Sequence, residues 1–175
     1  MSQSIEFKRY QFKLDLAKYY GFIMYSIYNI KLAHEDLSKY NKALNLQFQT
    51  SKESAFDLNE LGRLDRVLKD YIILKIAAFF DKDYRTLSLI QLKNLLLRDS
   101  PNIGKEYVRK LVLIENIFKK EIDIILTCRH QVVAHSEKNK FDNLIHTQVL
   151  LGMPIVELLD EINDLVEGVE ILLKD

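Results

Sequence analysis

The residues best suited to chemistry lie together in the segment TCRHQVVAHSEKN, residues 127–139. Arg129, His130 and His135 fall within seven positions there, and two of the chain's four histidines are among them. An arginine side chain stays ionised, whereas an imidazole can take or give a proton near neutral pH. This combination of residues is suited to acid/base chemistry on an anion.

The spacing of these residues limits how one helix can present them. At about 100° per residue, Arg129 and His135 on an unbroken helix would point about 120° apart, with about 9 Å between them along the axis. One rigid helix therefore cannot aim both side chains at one atom. Either the helix ends or distorts between them, or a second copy of the chain completes the site, as a symmetric dimer could.

Other interpretations of the same segment are open. Arg and His side chains near a helix C-terminus often satisfy free carbonyl groups and the negative end of the helix dipole. Cys128 and His130 diverge by about 200° on a helix, so they cannot form a nucleophile–base pair. Cys128 is instead predicted to be a small buried hydrophobic residue. The candidate ligands of a metal ion in this part of the chain are His130, His135, Glu137 and His146. They lack the fixed spacing of a His-Glu-x-x-His motif, so a metal site is not predicted.

Composition sets bounds on the class of protein. The chain has 175 residues, 48% of them hydrophobic, so we expect one domain over residues 1–175, with residues 1–6 outside its ordered part. Lys/Arg and Asp/Glu balance at 25 each. A strongly basic surface for nucleic acid is therefore not expected, and any RNA contact must be local.

The cysteine content and the N-terminal segment indicate a location. A single cysteine excludes an internal disulfide framework and fits a reducing compartment. The first residues lack the features of a secretory signal. The longest uncharged run near them, residues 19–30, has 12 residues, against the about 18 to 20 needed to cross a bilayer. We expect a cytoplasmic protein without a membrane partner.

Charge is unevenly distributed along the chain. Residues 105–140 hold eight Lys/Arg against five Asp/Glu, a net charge of +3, whereas residues 141–175 hold one Lys against eight Asp/Glu, a net charge of −7. An acidic C-terminal helix would repel a polyanion or attract a basic partner; a solvated face is the simpler interpretation.

The elements that position the motif are predicted to be helices. Five glycines, two prolines and no sustained alternation of polar and apolar residues predict an all-α fold, a single-domain antiparallel helical bundle with a long N-terminal helix. The predicted helices are 7–46, 57–80, 86–97, one that starts at Pro101 and leads into the motif, and one that starts at Pro154.

Apolar residues at three- and four-residue steps predict which helix faces are buried. In the first helix the predicted core stripe is Phe7, Tyr10, Leu14, Ala17, Tyr20, Met24 and Ile27. The stripe that leads into the motif is Tyr107, Leu111, Ile114, Phe118, Ile122 and Ile125. The last helix has a heptad-like seam from Ile155 to Leu173, which suits an antiparallel bundle or a dimer interface. Tyr19, Tyr20, Tyr25 and Tyr28 could stack bases, but core or interface packing is preferred.

Two segments together resemble a known superfamily. Arg129, His130, four further residues and His135 at the end of an apolar helix resemble the Arg-x(4–6)-His signature of the HEPN superfamily. An aspartate that closes an apolar helix before a Ser-Leu-x-x-Leu helix, here Asp81 and the segment from Ser88, is similar to its abortive-infection-related, AbiU-like branch. The likeness covers roughly residues 60–140, and His130 departs from the Asn or Asp that is common after the arginine.

The resemblance implies a HEPN-type bundle that acts as a metal-independent, homodimeric endoribonuclease of toxin or phage-defence systems, without a cofactor. Arg129 would stabilise charge on the phosphate, His135 would transfer a proton, and His130 would orient the ribose or phosphate or supply a second proton-transfer group. Ser136 and Lys138 are the predicted substrate-binding residues. RNA, a second copy of the chain and an antitoxin or defence protein are the expected partners, and DNA is not.

A non-catalytic module of the same fold is the competing hypothesis, because domains of one fold often differ in activity. Its acidic last helix would bind another protein. Binding of nucleotides without RNA cleavage is a third hypothesis, although the chain has no Gly-rich phosphate loop.

Overall fold

The computed structural model describes the backbone of residues 2–50, 58–134 and 147–174, and the side chains of residues 6–46, 60–129 and 147–174. Within these ranges the regular structure is helical and no strand occurs, which confirms the all-α prediction. The helices are α1 (Ser2–Thr50), α2 (Leu58–Phe79), α3 (Leu89–Asp99), α4 (Pro101–Ile117), α5 (Lys119–Ala134), α6 (Thr147–Leu151), α7 (Ile155–Glu167) and α8 (Ile171–Lys174).

The chain forms two compact units. The first unit comprises Met1–Ile27, Ala78–Lys120 and Glu157–Asp175, and the second comprises Tyr28–Ala77 and Glu121–Val156. Each unit has a core of buried aliphatic and aromatic side chains. In the first unit these include Leu16, Ile23, Phe79, Leu89, Leu92, Leu96, Ile114, Leu158 and Ile162, and in the second Ile30, Leu37, Leu61, Ile72, Ile76, Ile125 and Leu150.

Helices α3 and α4 of the first unit pack closely. Pro101 occupies the first turn of α4, where its missing N–H is not needed, which confirms the predicted start. Gly104 is buried against α3: a Cβ atom there would lie 2.7 Å from the backbone nitrogen of Leu97. Only glycine therefore allows this approach of the two helices.

The loop before α3 is held by side-chain bonds to the backbone. Ser88 is fully buried; its hydroxyl donates to the carbonyl oxygen of Asp81 at 2.7 Å and accepts from the N–H of Gln91 at 3.2 Å. The predicted start of α3 at Thr86 is wrong, because Ser88 is the N-cap and the Thr86 hydroxyl donates to the carbonyl of Asp83 at 2.7 Å.

The predicted helix from Pro101 into the motif is divided. Phe118 leaves helical geometry, with φ −103° and ψ 22°, and α5 begins at Lys119. All six residues of the predicted stripe are nevertheless buried: Tyr107, Leu111, Ile114, Phe118, Ile122 and Ile125. The predicted seam is buried from Ile155 in α7 to Val169 just after that helix, so these residues serve the core, whereas Leu172 and Leu173 in α8 are half-buried.

The predicted core face of α1 is wrong for its N-terminal half. Phe7 and Tyr10 are each 67% exposed, Leu14 is 41% exposed, and Ala17 is also exposed. Of the predicted stripe Ile27 is buried, and the buried face otherwise carries Leu16, Ile23 and Ile30. Helix α1 is apolar on two opposite sides, and residue spacing alone does not tell which of them the core covers.

Candidate functional site

Helix α5 positions the arginine of the motif. Ile122, Ile125 and Cys128 are buried at three-residue steps, as expected for the core-facing side of a helix. Arg129 follows Ile125 by four residues, so it leaves α5 from that same side, and its side chain is half-buried. In this position an arginine packs its aliphatic stem against apolar surface, and its charged guanidinium extends from the core-facing side of the helix.

The other predicted site residues lie partly or wholly outside the described ranges. The backbone of His130 belongs to α5, but its side chain is not described. His135, Ser136 and Lys138 lie outside the described residues. Of the predicted site, the structure therefore places Arg129 fully and His130 by its backbone.

A buried polar contact joins α2 to the chain that follows the motif. The Thr147 hydroxyl donates to Asp65 Oδ2 at 2.6 Å, and Thr147 is only 7% exposed. The other oxygen of the half-buried carboxylate, Oδ1, is buried without a hydrogen-bond partner in the described part of the chain. This bond holds the first residue of α6 against α2.

Lys69, one helical turn after Asp65, is a largely buried lysine. It is only 8% exposed, and no carboxylate of the described residues lies within ion-pair distance of it. Burial of an ammonium group costs free energy unless the group is paired or reaches water at its tip. We call Asp65 and Lys69 the α2 polar pair.

The α2 polar pair occupies the core register of its helix. Leu61, Ile72 and Ile76 are at most 1% exposed. Asp65 and Lys69 follow Leu61 at steps of four, and Ile72 and Ile76 continue the same face. Two charged residues therefore stand where the hydrophobic pattern calls for aliphatic ones. Neither residue was predicted from the sequence as part of the site, although two charged residues within an apolar helix stripe are a sequence pattern that indicates them.

The α2 polar pair and Arg129 belong to the same compact unit. Arg129 lies on α5, Thr147 begins α6, and the pair lies on α2, all within the second unit. A carboxylate, an ammonium group, a guanidinium and a hydroxyl are thus drawn from three helices of one unit. Such groups can bind an anion and hold or move a proton.

In the second segment that resembles the superfamily, Asp81 and the residues from Ser88 stabilise the fold. Besides the Ser88 contacts, Asp81 Oδ1 accepts from the N–H of Asp83 at 3.0 Å, and Leu89 and Leu92 are fully buried. The side-chain amide of Gln91 donates to the carbonyl of Lys82 at 2.9 Å. These bonds hold the loop in place, and they require no ligand.

The described residues include neither a cluster of metal ligands nor a membrane-spanning helix. No group of three or more His, Cys, Asp and Glu side chains in these ranges is placed to hold a metal ion. Likewise, none of the described helices is both long enough and apolar enough to cross a membrane.

Comparison with known proteins adds no relative. No protein-family model matches the chain, and neither curated proteins nor solved structures give a match. Any functional assignment therefore rests on the residues and their placement.

Proposed function

We propose that this protein is a metal-independent endoribonuclease of the HEPN type, with Arg129 and His135 at its centre. The observation that carries the proposal is the placement of Arg129 on the core-facing side of α5, in the unit that also buries Lys69 and part of Asp65. Apolar residues would fill these positions more favourably, because a buried charge gains less from packing than it loses in hydration.

The proposed reaction is cleavage by the neighbouring 2′-hydroxyl of RNA. A base removes the hydroxyl proton, the oxygen attacks phosphorus, and the 5′-oxygen leaves after it receives a proton from an acid. The products are a 2′,3′-cyclic phosphate and a 5′-hydroxyl. Arg129 suits the negative charge that develops on the phosphate oxygens, because its planar fork pairs with two of them and stays ionised.

The histidines would carry the protons in this proposal. His135 is the proton-transferring group, and His130 either orients the ribose or phosphate or supplies the second proton-transfer group. Ser136 and Lys138 would contact the substrate. A second copy of the chain would complete the site, since Arg129 and His135 diverge by about 120° on a continuous helix. The expected setting is a cytoplasmic toxin or phage-defence system with a cognate partner protein.

Cleavage of structured RNA in the presence of EDTA tests this proposal. We expect the wild type to cut, and Arg129→Ala to cut about 100- to 1,000-fold more slowly, as when one group that stabilises a transition-state oxyanion is removed. His135→Ala should lose activity as well. Arg109→Ala is the matched control, because this arginine is exposed on α4 in the first unit.

The variants must keep the thermal stability of the wild type for the comparison to count. If Arg109→Ala lost as much activity as Arg129→Ala, the effect would be one of total charge and the assigned role of Arg129 would be wrong. If the wild type left every tested RNA intact, the nuclease proposal would fail.

A non-catalytic interaction module is the second candidate, and the surface of α7 favours it. The helix exposes an acidic face made up of Glu157, Asp160, Glu161, Asp164 and Glu167. At about 100° per residue these five side chains fall within a sector about 120° wide, and α7 contains no basic residue. Such a face attracts a basic partner and repels RNA.

Calorimetric titration with an oligolysine peptide tests this face. The triple variant Glu157→Gln, Glu161→Gln, Asp164→Asn should bind the peptide more weakly than the wild type, and added salt should reduce the difference. Glu106→Gln, Glu115→Gln on α4 is the control. Equal binding by all three proteins would eliminate α7 as the docking face.

A further inference from the structure

The N-terminal half of α1 exposes a row of apolar residues on the side opposite the core. Phe7 and Tyr10 are each 67% exposed, Leu14 41% and Tyr25 68%, and the small residues Ala17 and Gly21 between them are also exposed. Leu16 and Ile23 on the other side of the helix are fully buried. We call the exposed row, Phe7, Tyr10, Leu14, Ala17, Gly21 and Tyr25, the α1 stripe.

The α1 stripe is narrow and uninterrupted. At about 100° per residue its six members fall within a sector about 80° wide, and no charged residue between Phe7 and Tyr25 shares that sector. The same spacing continues along α1 with the exposed residues Tyr28 and Leu32. Scattered exposed apolar residues are ordinary on a protein surface, but a continuous row at helical spacing indicates a covered face.

The order of side-chain sizes along the α1 stripe points to a second copy as the occupant. If two such helices lie antiparallel about a two-fold axis between residues 17 and 18, Tyr10 of one faces Tyr25 of the other, and Leu14 faces Gly21. Ala17 then lies beside the axis, and Phe7 faces the turn that holds Tyr28. Large residues meet at the ends and small ones in the middle, as a self-complementary interface requires.

The small residues permit close contact where the helices cross. Packed helices lie about 8 to 10 Å apart, depending on the side chains at the contact. Apart from its sequence neighbours and the backbone of its own helix, no atom of the described residues lies within 4 Å of a Cβ atom built on Gly21, so the fold of one copy does not explain a glycine there. Glycine in a helix interior costs about 1 kcal/mol relative to alanine. A partner helix that packs against this point accounts for it.

The exposed area is of the order that a stable dimer needs. With about 200 Å² per aromatic side chain and about two thirds of it exposed, Phe7, Tyr10 and Tyr25 offer about 400 Å², and Leu14 with the two small residues adds about 100 Å². A standard interface buries about 800 Å² on each partner. The flanking side chains of α1 can supply the remainder.

The flank of the α1 stripe has the polar character of an interface rim. The Gln11 amide donates to Asp15 Oδ1 at 3.0 Å, and the Lys18 ammonium group lies 3.3 Å from the same oxygen. The bond from Gln11 lowers the pKa of the Asp15 carboxyl below its ordinary value, so Asp15 stays ionised and balances Lys18 near the axis. Interfaces commonly surround an apolar centre with such groups.

We propose that the α1 stripe is the self-association surface of this protein, and that two copies pair through it antiparallel, with Ala17 and Gly21 at the crossing. The proposal does not depend on the nuclease activity. It assigns the self-association surface to helix α1 of the first unit, outside the Arg129 motif, and the same two-fold axis would relate the two Arg129 motifs of the dimer.

Sedimentation equilibrium of the full chain tests the association. We expect the wild type at micromolar concentration to have about twice its monomer mass of 20.6 kDa. Ala17→Lys places two further ammonium groups beside the axis, where Lys18 of each copy already lies, and should weaken the dimer about 100-fold, because like charges in an interface repel strongly. Asn116→Lys, on an exposed position of α4, adds the same charge and should leave the dimer intact.

A second variant distinguishes a fitted interface from general stickiness. Gly21→Leu makes the α1 stripe more apolar and fits the isolated chain, which has open space there. It should nevertheless weaken the dimer, because the added side chain would collide with Leu14 of the other copy at the crossing. Stronger association of this variant would contradict the proposed packing.

Oxidative cross-linking tests the antiparallel register. In a Cys128→Ala background, Ala17→Cys should form a covalent dimer, since residues 17 of the two copies lie across the axis within disulfide reach. Phe7→Cys should not, because residues 7 of the two copies would be about 30 Å apart. Cross-linking of Phe7→Cys alone, or a wild type that sediments as a monomer, would overturn the proposal.

Discussion

The loop before α3 and the middle of α2 both place polar side chains in protected positions, but they use them differently. In the loop, Ser88 and Asp81 bond to backbone groups, so the fold itself explains them. In α2, Asp65 bonds to another side chain, Thr147, and Lys69 has no carboxylate partner among the described residues. Polar groups that no backbone group requires are the better guide to function.

The largest effect on stability is expected where α3 and α4 touch. Gly104→Ala should lower the free energy of unfolding by about 3 kcal/mol, because its Cβ would lie 2.7 to 2.9 Å from backbone atoms of Leu96 and Leu97. Gly62→Ala is the control: apart from its sequence neighbours and the backbone of its own helix, no atom of the described part of the chain lies within 4 Å of its Cβ, and it should stabilise the chain by about 1 kcal/mol. Urea denaturation measures both, and equal effects would mean that the close approach of α3 and α4 is absent.

The second-largest effect on the free energy of unfolding is expected at Ser88, in the loop before α3. Ser88→Ala should cost about 2 kcal/mol of unfolding free energy, since it removes the cap of α3 and a buried donor to the Asp81 carbonyl. Ser100 precedes α4 but makes no side-chain capping bond, so Ser100→Ala should cost less than about 0.5 kcal/mol. If the two serines had equal effects in urea denaturation, the structural role given to Ser88 would be wrong.

For the α2 polar pair, we expect a substitution to lower activity and to leave stability almost unchanged. Lys69→Met should leave the free energy of unfolding within about 1 kcal/mol of the wild-type value or raise it, because an apolar side chain of similar length suits the core register. RNA cleavage should nevertheless fall. A variant that unfolds readily while the remaining folded fraction keeps full activity would make Lys69 a structural residue and remove it from the site.

The smallest effect is a pH dependence in the loop. The Arg85 guanidinium bonded to the Asp83 carboxylate lowers the pKa of Asp83 from 3.8 to about 2. A depressed folded-state pKa contributes stability above the ordinary value, and this contribution is lost as pH falls through about 2. The ion pair lies at the surface, where the Arg85 side chain is 74% exposed and solvent screens it, so the effect on unfolding is small. An NMR titration of Asp83 should show the low pKa, and Arg85→Ala should return it towards 3.8; an unchanged pKa in that variant would rule out the ion pair as its cause.

The sequence predicted helices and most buried positions correctly, because periodic apolar residues and capping signals act locally. The start of α4 at Pro101 and the burial of Tyr107 to Ile125 follow from such signals. The break at Phe118 was not predicted, since the surrounding residues include neither Gly nor Pro. The choice between the two apolar sides of α1 depends on tertiary packing, which spacing does not encode.

The roles given to the candidate site residues stay predictions from the sequence. Arg129 was selected by residue type and spacing, and its half-buried position on the core-facing side of α5 is what the structure adds. Asp65 and Lys69 were missed because they lie more than 50 positions before the motif, so nothing local connects them with it. The structure assigns Asp65, Lys69 and Arg129 to the same compact unit, which the sequence does not show.

The nature of the RNA ends after cleavage tests the central claim most directly. The wild type, incubated in EDTA with an RNA and with the same RNA carrying one 2′-deoxy substitution at the cut site, should cut only the former and leave a 2′,3′-cyclic phosphate and a 5′-hydroxyl. Arg129→Ala should make the same products about 100-fold more slowly or worse. Cleavage of the 2′-deoxy substrate, 5′-phosphate products, or no cleavage at all would contradict the account.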